Sequence, residues 1–341
     1  MPEGIHPERV TAWLSKHVVG LKPPVTFALV AGGHSNLTFR VEDSRGRAWI
    51  LRRPPLGHVL ESAHDMAREY RIIHALVGTR VPVPGACALC EDIAVNDAPF
   101  YIMQFVEGVV LHDATQAEPL SLTHRRSIGE HVIDVLAELH SIDPDAVGLG
   151  SLGRKEGYLE RQLNRWSRQW QATKTHEIPE MDESLELLQQ QQPGQIGSSI
   201  VHGDYRLGNM LIREGRIQAL LDWELCTLGD PLADVGYLLN SWLGPDELMP
   251  GEAAQAPTTV GGFPSREELC NRYQEATGRD LSNINYYRAF SHWRLAAIGQ
   301  GVYKRYLMGA MGQNRELDLD LYKEGVIRRA AAALGLLRAR G

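Results

Sequence analysis

Apolar positions along this chain switch between two periods, and the switches mark out its elements. Over residues 7–18, Val10, Trp13, Leu14 and Val18 fall on one face at helical spacing, with Pro7 suited to a first turn. From Thr26 the period drops to two. Phe27 to Val30 predicts a strand, Ala31 to Asn36 a Gly-Gly turn, and Leu37, Phe39 and Val41 a second strand. A strand, glycine loop and strand of this kind either covers phosphates with its backbone N–H groups or is simply a hairpin. Over Ala48–Arg53, alternation sets Ala48, Ile50 and Arg52 on one face and Trp49, Leu51 and Arg53 on the other, so one arginine must share a face with apolar neighbours.

Ser62-Ala-His-Asp65 reads as a capping box opening a helix to about Leu76, with Glu69 on the same face as Met66, Ile73 and Leu76. An inward acid needs a partner. Arg52 is the natural one, and a solvated Glu69 on the helix shoulder is the alternative. Val81–Pro84 is an extended connector, and residues 95–103 predict a hairpin whose last arm runs Phe100 to Val106. Beyond it helices dominate, at about 122–140, 157–173, 180–191, 231–243, 265–277, 283–308 and 316–338. The expected organisation is therefore two lobes, residues 1–106 and 107–341. The Trp and Tyr stripe of residues 157–173 fits a core better than a ligand cage. The Pro/Gly/Ala-rich stretch 244–264 is either a substrate lid or an insertion.

One segment interrupts the helical half. Ile200 to Ile212 brings an imidazole, a carboxylate and an amide, at His202, Asp204 and Asn209, between two apolar runs. A third apolar run, Ala219–Leu221, ends in Asp222. Phosphoryl transfer needs a carboxylate to take or orient the acceptor's hydroxyl proton, hard oxygen ligands for Mg²⁺, and a cation on the donor phosphates. Asp204 in the loop suits the first role. Asn209 and Asp222, on opposite arms of a hairpin that turns at Arg213–Arg216, suit the second. Arg52, pinned by Glu69, suits the third. His202 reads as a brace for the loop rather than a base. Asp230 reads as an N-cap before Pro231 and Asp234 as a first-turn acid, both structural supports of the loop rather than reactants, and Glu224 as a support of the metal ligands.

Composition narrows this little. The chain has 341 residues, 43% hydrophobic and 23% charged, with a formal net charge of −7, which argues against a nucleic-acid partner. Cys87 and Cys90 form a C-x-x-C without a second metal-ligand pair at zinc spacing, so thiols in a reducing compartment are expected over a redox or metal pair. The N-terminus lacks an apolar signal core and no stretch is apolar enough to span a bilayer, so no membrane partner and a cytoplasmic setting are expected.

His202-Gly-Asp204, Asn209, Leu221-Asp-Trp-Glu224 and Gly229-Asp-Pro231 with Asp234 together resemble the aminoglycoside phosphotransferase/choline kinase family. Leu51–Pro55 and His64–Tyr70 are most similar to its kinase-like domains found alone in bacteria or fused to acyl-CoA dehydrogenases. The resemblance implies an α+β, bilobal, protein-kinase-like fold, with an antiparallel N-lobe sheet carrying one helix and a mainly helical C-lobe. It implies ATP (or GTP) and Mg²⁺ as cofactors and a small-molecule hydroxyl as acceptor. Asp204 matches the catalytic aspartate, Asn209 and Asp222 the metal ligands, and Glu69 the helix glutamate. Gly32, Gly33, Ser35 and Asn36 fall on the nucleotide-covering turn, and Gln104, Phe105 and Val106 on the hinge against adenine. Arg52 stands where most relatives carry lysine. That departure leaves open a nucleotide-binding module without efficient catalysis. A metal-dependent hydrolase on His202, Asp204 and Asp222 is a further reading. Arg272, Arg279, Arg288, Arg294, Lys304 and Arg305 lean towards a neutral or anionic acceptor, such as a hydroxy-acyl compound, over an aminoglycoside or choline-like amino-alcohol. Tyr286, Tyr287, His292, Trp293, Arg294, Tyr303, Lys304 and Arg305 are candidates to line its pocket, and most fit core and solvated faces equally well.

Overall fold

A computed structural model describes residues 2–31, 36–56, 65–247, 255–309 and 319–339. In chain order the elements are α1 (Pro7–His17), β1 (Val25–Ala31), β2 (Leu37–Asp43), β3 (Ala48–Arg53), α2 (Met66–Leu76), β4 (Ala86–Cys90), α3 (Ile93–Asn96) and β5 (Phe100–Gln104). There follow α4 (Ala114–Ala117), α5 (Leu122–Ser141), α6 (Tyr158–Thr173), α7 (Pro179–Gln190), β6 (Ser199–Val201), β7 (Met210–Arg213), β8 (Arg216–Leu220) and β9 (Thr227–Gly229). The chain closes with α8 (Leu232–Ser241), α9 (Arg266–Thr277), α10 (Ile284–Leu307) and α11 (Leu319–Arg338). It divides into two compact units. The first comprises Met1–Val109, Val147–Leu149 and Asn209–Leu225, and the second the remainder.

The first unit is built on an antiparallel sheet ordered β1-β2-β3-β5-β4. Strict alternation along β2 and β3 buries Phe39, Val41, Trp49 and Leu51 against Val10 and Leu14 of α1. Each such side chain contributes on the order of 1.5–3 kcal/mol of burial. The arginine on the apolar face is Arg53. It is buried and satisfied by backbone carbonyls, those of Pro54 at 3.1 Å and Asn96 at 3.3 Å, together with Gly4. The β2–β3 turn is held by Asp43, whose Oδ1 accepts the amides of Arg45 and Arg47 at 2.9 and 3.0 Å.

Beside the expected α1 and α2 the unit carries one further short helix among the described residues, the single turn α3. Two expectations are corrected here. The partner of β5 is β4, and the stretch read as a strand from Val95 is α3. It is helical because Asp92 caps it, accepting from Ala94 N at 2.9 Å, and Asp97 ends it in the left-handed region. The N-cap of α2 is Asp65, which accepts from Arg68 N at 2.8 Å, and Ser62 lies outside the described residues.

The β7–β8 hairpin follows the second unit's strand β6 in sequence yet belongs to the first unit. Val109 N donates to Ile212 O, Ile212 N returns a bond to Val109 O, and Leu220 N donates to Pro82 O, each at 2.8 Å. The second unit is mainly helical. The predicted stripe of α5, Ile128, Val132, Val135, Leu136 and Leu139, is buried. Helix α10 is buried along most of its length, and Gly236 of α8 lies so near it that a Cβ there would meet the Tyr287 carbonyl carbon at 2.7 Å. Among the described residues no helix is long and apolar enough to cross a membrane.

Candidate functional site

The predicted residues fall into two clusters, one in each unit. In the first unit, alternation along β3 turns Arg52 away from the face of Trp49 and Leu51. Helix α2 presents Glu69 from its first turn, where the helix dipole favours an acid. The expected pair forms, with Arg52 Nη1 at 2.9 Å from Glu69 Oε1. Arg52 Nη2 also lies 3.2 Å from Asp222 Oδ1. The Glu69 side chain is only 2% exposed and that of Arg52 11%, whereas Asp222 keeps 34%. Burial opposes the charge of Arg52, but the surrounding Tyr101, Glu69 and Asp222 outweigh it and raise its pKa. Burial pushes the Glu69 carboxyl up, with Arg52 pulling the other way.

Asp222 follows β8 with a φ of 67°, a conformation uncommon for a residue with a side chain. Asn209 sits beside the opposite arm. Its carbonyl accepts Leu221 N at 2.8 Å, so the two candidate ligands are brought together across the end of the hairpin. Their amide and carboxylate oxygens are the donor type Mg²⁺ takes. Among the described residues no three His, Cys, Asp or Glu side chains form a metal cluster. Glu224, on the turn Trp223–Leu225, is exposed. Gln104 ends β5 with its amide on Gly85 O at 2.8 Å, and Phe105 lies under the Arg40 guanidinium at 4.5 Å with Val106 next in chain. Asn36, just before β2, is buried. Gly32, Gly33 and Ser35 lie outside the described residues.

In the second unit, β6 delivers His202, Gly203 and Asp204. The loop is pinned from below by Asp234 of α8, which accepts His202 N at 2.6 Å and Gly203 N at 2.8 Å. Burial opposes ionisation of Asp234, but His140, His202 and the Gly203 amide outweigh it and lower its pKa. His140 stands at 3.4 Å, its own pKa lowered by burial, and contacts the Tyr273 hydroxyl at 2.7 Å. His202 is fully buried, and its Nδ1 accepts Asp204 N at 3.2 Å, as a brace would. Gly203 has a φ of 85°, which a side chain would strain. Asp230 is also buried. It accepts Leu232 N at 3.1 Å, the Tyr287 hydroxyl at 2.8 Å and Ile196 N at 3.3 Å, and burial raises its pKa.

Donors from α8 and from its own loop reach Asp204 itself. The Tyr237 hydroxyl and Arg206 Nε, the latter at 3.2 Å, both reach its Oδ1. Burial, and then the nearby Asp204, push the Tyr237 phenol upward. Arg294 covers the Tyr237 ring at 5.2 Å and donates to Gly203 O at 2.7 Å. Neither Tyr237 nor Arg206 is evident from motif spacing. The available signals were a tyrosine in the apolar helix α8 and a cation between Asp204 and Asn209.

Most of the α10 pocket candidates have other tasks. Tyr286, Tyr287 and Trp293 are buried, bonded to Leu188 O, Asp230 and Met181 O respectively. Lys304 binds Ala172 O at 2.8 Å, and Tyr303 packs on His176. Their spacing suits the core that α10 fills on several sides. His292 does line a cavity of the second unit, with Arg288. Cys87, Cys90, Cys226 and Cys270 are free thiols.

Residues 26–269 match the model of the phosphotransferase enzyme family. The chain is 38% identical over 282 residues to mouse (Mus musculus) acyl-CoA dehydrogenase family member 10, covering 81% of this chain and 26% of that protein. A Ralstonia eutropha jmp134 structure assigned as an aminoglycoside phosphotransferase superposes with a TM-score of 0.82 at 35% identity, over 97% of this chain and 98% of that one. A thermostable mutant of aminoglycoside phosphotransferase APH(4)-Ia, in ternary complex with ADP and hygromycin B, shares the fold at a TM-score of 0.62 and 16% identity, over 96% and 97% of the two chains. With its matched segment spanning both clusters, the chain belongs to the phosphotransferase enzyme family and has its kinase-like α+β fold.

Proposed function

We propose that the protein transfers the γ-phosphate of ATP to a hydroxyl of a small molecule. The observation that carries this reading is Asp204, a carboxylate 18% exposed and oriented by Tyr237 and Arg206, on a loop that Asp234 pins by two backbone amides. Asp204 accepts or orients the acceptor's hydroxyl proton as the oxygen attacks the phosphorus. Tyr237 and Arg206 fix the carboxylate's direction, so little reorganisation accompanies the transfer. Arg52 places the donor phosphates, and Glu69 holds Arg52 in line. Mg²⁺ on Asn209 and Asp222 supplies neutralisation of phosphate charge. Arginine keeps the charge of the usual lysine and binds phosphate oxygens as a fork.

The ADP of the APH(4)-Ia complex supports a nucleotide donor. The likeness to an acyl-CoA dehydrogenase family member, of whose length this chain spans about a quarter, supports a hydroxy-acyl acceptor over an amino-alcohol. The test is ATP consumption over a set of hydroxylated acids, amino-alcohols and aminoglycosides, with Asp204→Ala as control. Acceptor-dependent ADP release lost in the variant is the expected result. Nucleotide binding with no consumption for any acceptor overturns the catalytic reading in favour of a regulatory module.

A further inference from the structure

Within the second unit lies a cavity of about 620 Å³, a size that suits a small-molecule ligand. Arg206, Arg266, Arg288, Arg328 and Arg329 line it, and among the described residues the lining carboxylate is that of Glu247, while Arg328 also has the Glu324 carboxylate at 3.7 Å. Arg206 also donates to Asp204, so the cavity adjoins the proposed base. Glu247 is already engaged by Arg266 at 2.8 Å. The Nε of Arg288 rests on a neutral partner, the Asn240 amide oxygen, at 3.1 Å. His292 lines the same cavity with Nδ1 buried and without a hydrogen-bond partner.

We propose that this cavity is the acceptor's binding site and that it seats an anionic group, a phosphate or carboxylate, on Arg288, Arg328 and Arg329, with the acceptor's hydroxyl towards Asp204. The assignment rests on the phosphotransferase reading and deepens it. Clustered guanidiniums of one sign repel one another unless an anion joins them, and guanidinium forks match the planar or tetrahedral oxygens of carboxylate and phosphate. The same crowding acts on His292, which burial and then Arg288, Arg329 and Arg266 hold down at about 4. Among the described lining residues the carboxylate open to an ammonium group is that of Glu247, which Arg266 already engages.

The test uses the whole chain and reads the His292 imidazole by NMR, its resonance identified by loss in His292→Asn. Pyrophosphate and succinate are titrated as separate probes, with glycerol as the uncharged control. A saturable shift with one or both anions and none with glycerol is expected, and the stronger probe tells phosphate from carboxylate. Arg288→Gln and the surface variant Arg329→Gln should each weaken binding about tenfold. An immobile His292 signal, or binding unchanged in folded Arg329→Gln and Arg288→Gln, overturns the proposal. A second arm compares phosphorylation of a hydroxy-carboxylate with that of its amide, for which a preference of about tenfold in kcat/KM is expected. Anion binding without phosphorylation of any acceptor would sink the phosphotransferase reading alone. Phosphorylation indifferent to the anion, with His292 unmoved, would sink the anion site alone.

Discussion

In the first unit a nearly buried guanidinium serves two carboxylates, Arg52 lying 2.9 Å from Glu69 and 3.2 Å from Asp222. In the second unit a carboxylate is served by a hydroxyl and a guanidinium, Tyr237 and Arg206 meeting on Asp204 Oδ1. The first cluster sets two carboxylates around one guanidinium. The second keeps Asp204 directed and borders a cavity dense in arginine. The supports differ as well. Arg52, Glu69 and Asp222 depend on each other's charges. The Asp204 loop depends on backbone amides gathered by a buried acid, Asp234. A charge network fails when one member is removed, because a buried charge is left unpaired, whereas a hydrogen-bonded loop loses orientation before it loses structure.

That contrast can be broken or sharpened in order of effect. Asp222→Ala should reduce magnesium-dependent turnover roughly 1,000-fold, measured as ADP release, and should also weaken nucleotide binding with magnesium present. Glu69→Ala leaves the nearly buried Arg52 with the more exposed Asp222 as its remaining carboxylate of the cluster and should lower unfolding free energy by about 3 kcal/mol in urea titrations. If stability is unchanged, the pair is not the support of the first cluster. Tyr237→Phe removes one donor to a charged acceptor. It should lower kcat about 10- to 30-fold while leaving nucleotide KM and melting temperature near the wild type. A large loss of stability instead would make Tyr237 a core residue only.

The smallest effect concerns pH. His292 is held at about 4 rather than its ordinary 6.5, by burial first and then by Arg288, Arg329 and Arg266. Between these values the unfolded chain takes up a proton that the folded chain refuses, so stability rises with pH through the window and is lost as pH falls towards about 4. His292→Asn should flatten the slope of unfolding free energy against pH by at most about 1.4 kcal/mol per pH unit.

The first cluster was largely legible in the sequence because its members sit on regular elements. Period-two alternation gave Arg52 its own face of β3, and helical spacing put Glu69 inward on α2. The loop of the second cluster was legible as a motif, and Asp234 as its support. Tyr237 and Arg206 were not, since a donor's aim onto Asp204 depends on the packing of α8 and no local period encodes it. Tertiary packing likewise decided α10, where the aromatic candidates Tyr286, Tyr287 and Trp293 fill the core and the cavity is left to Arg288 and His292. Local capping by Asp92 and Asp97 overrode the apolar residues that made 95–103 read as a hairpin.

The division of labour between the clusters is tested most directly by Asp204→Ala. On one sample of the variant, binding of a non-hydrolysable ATP analogue with magnesium is measured beside transfer of labelled γ-phosphate to an accepted hydroxyl compound. Binding should match the wild type, and transfer should fall by roughly 100- to 10,000-fold, the range a lost general base gives. Transfer at the wild-type rate would contradict the account.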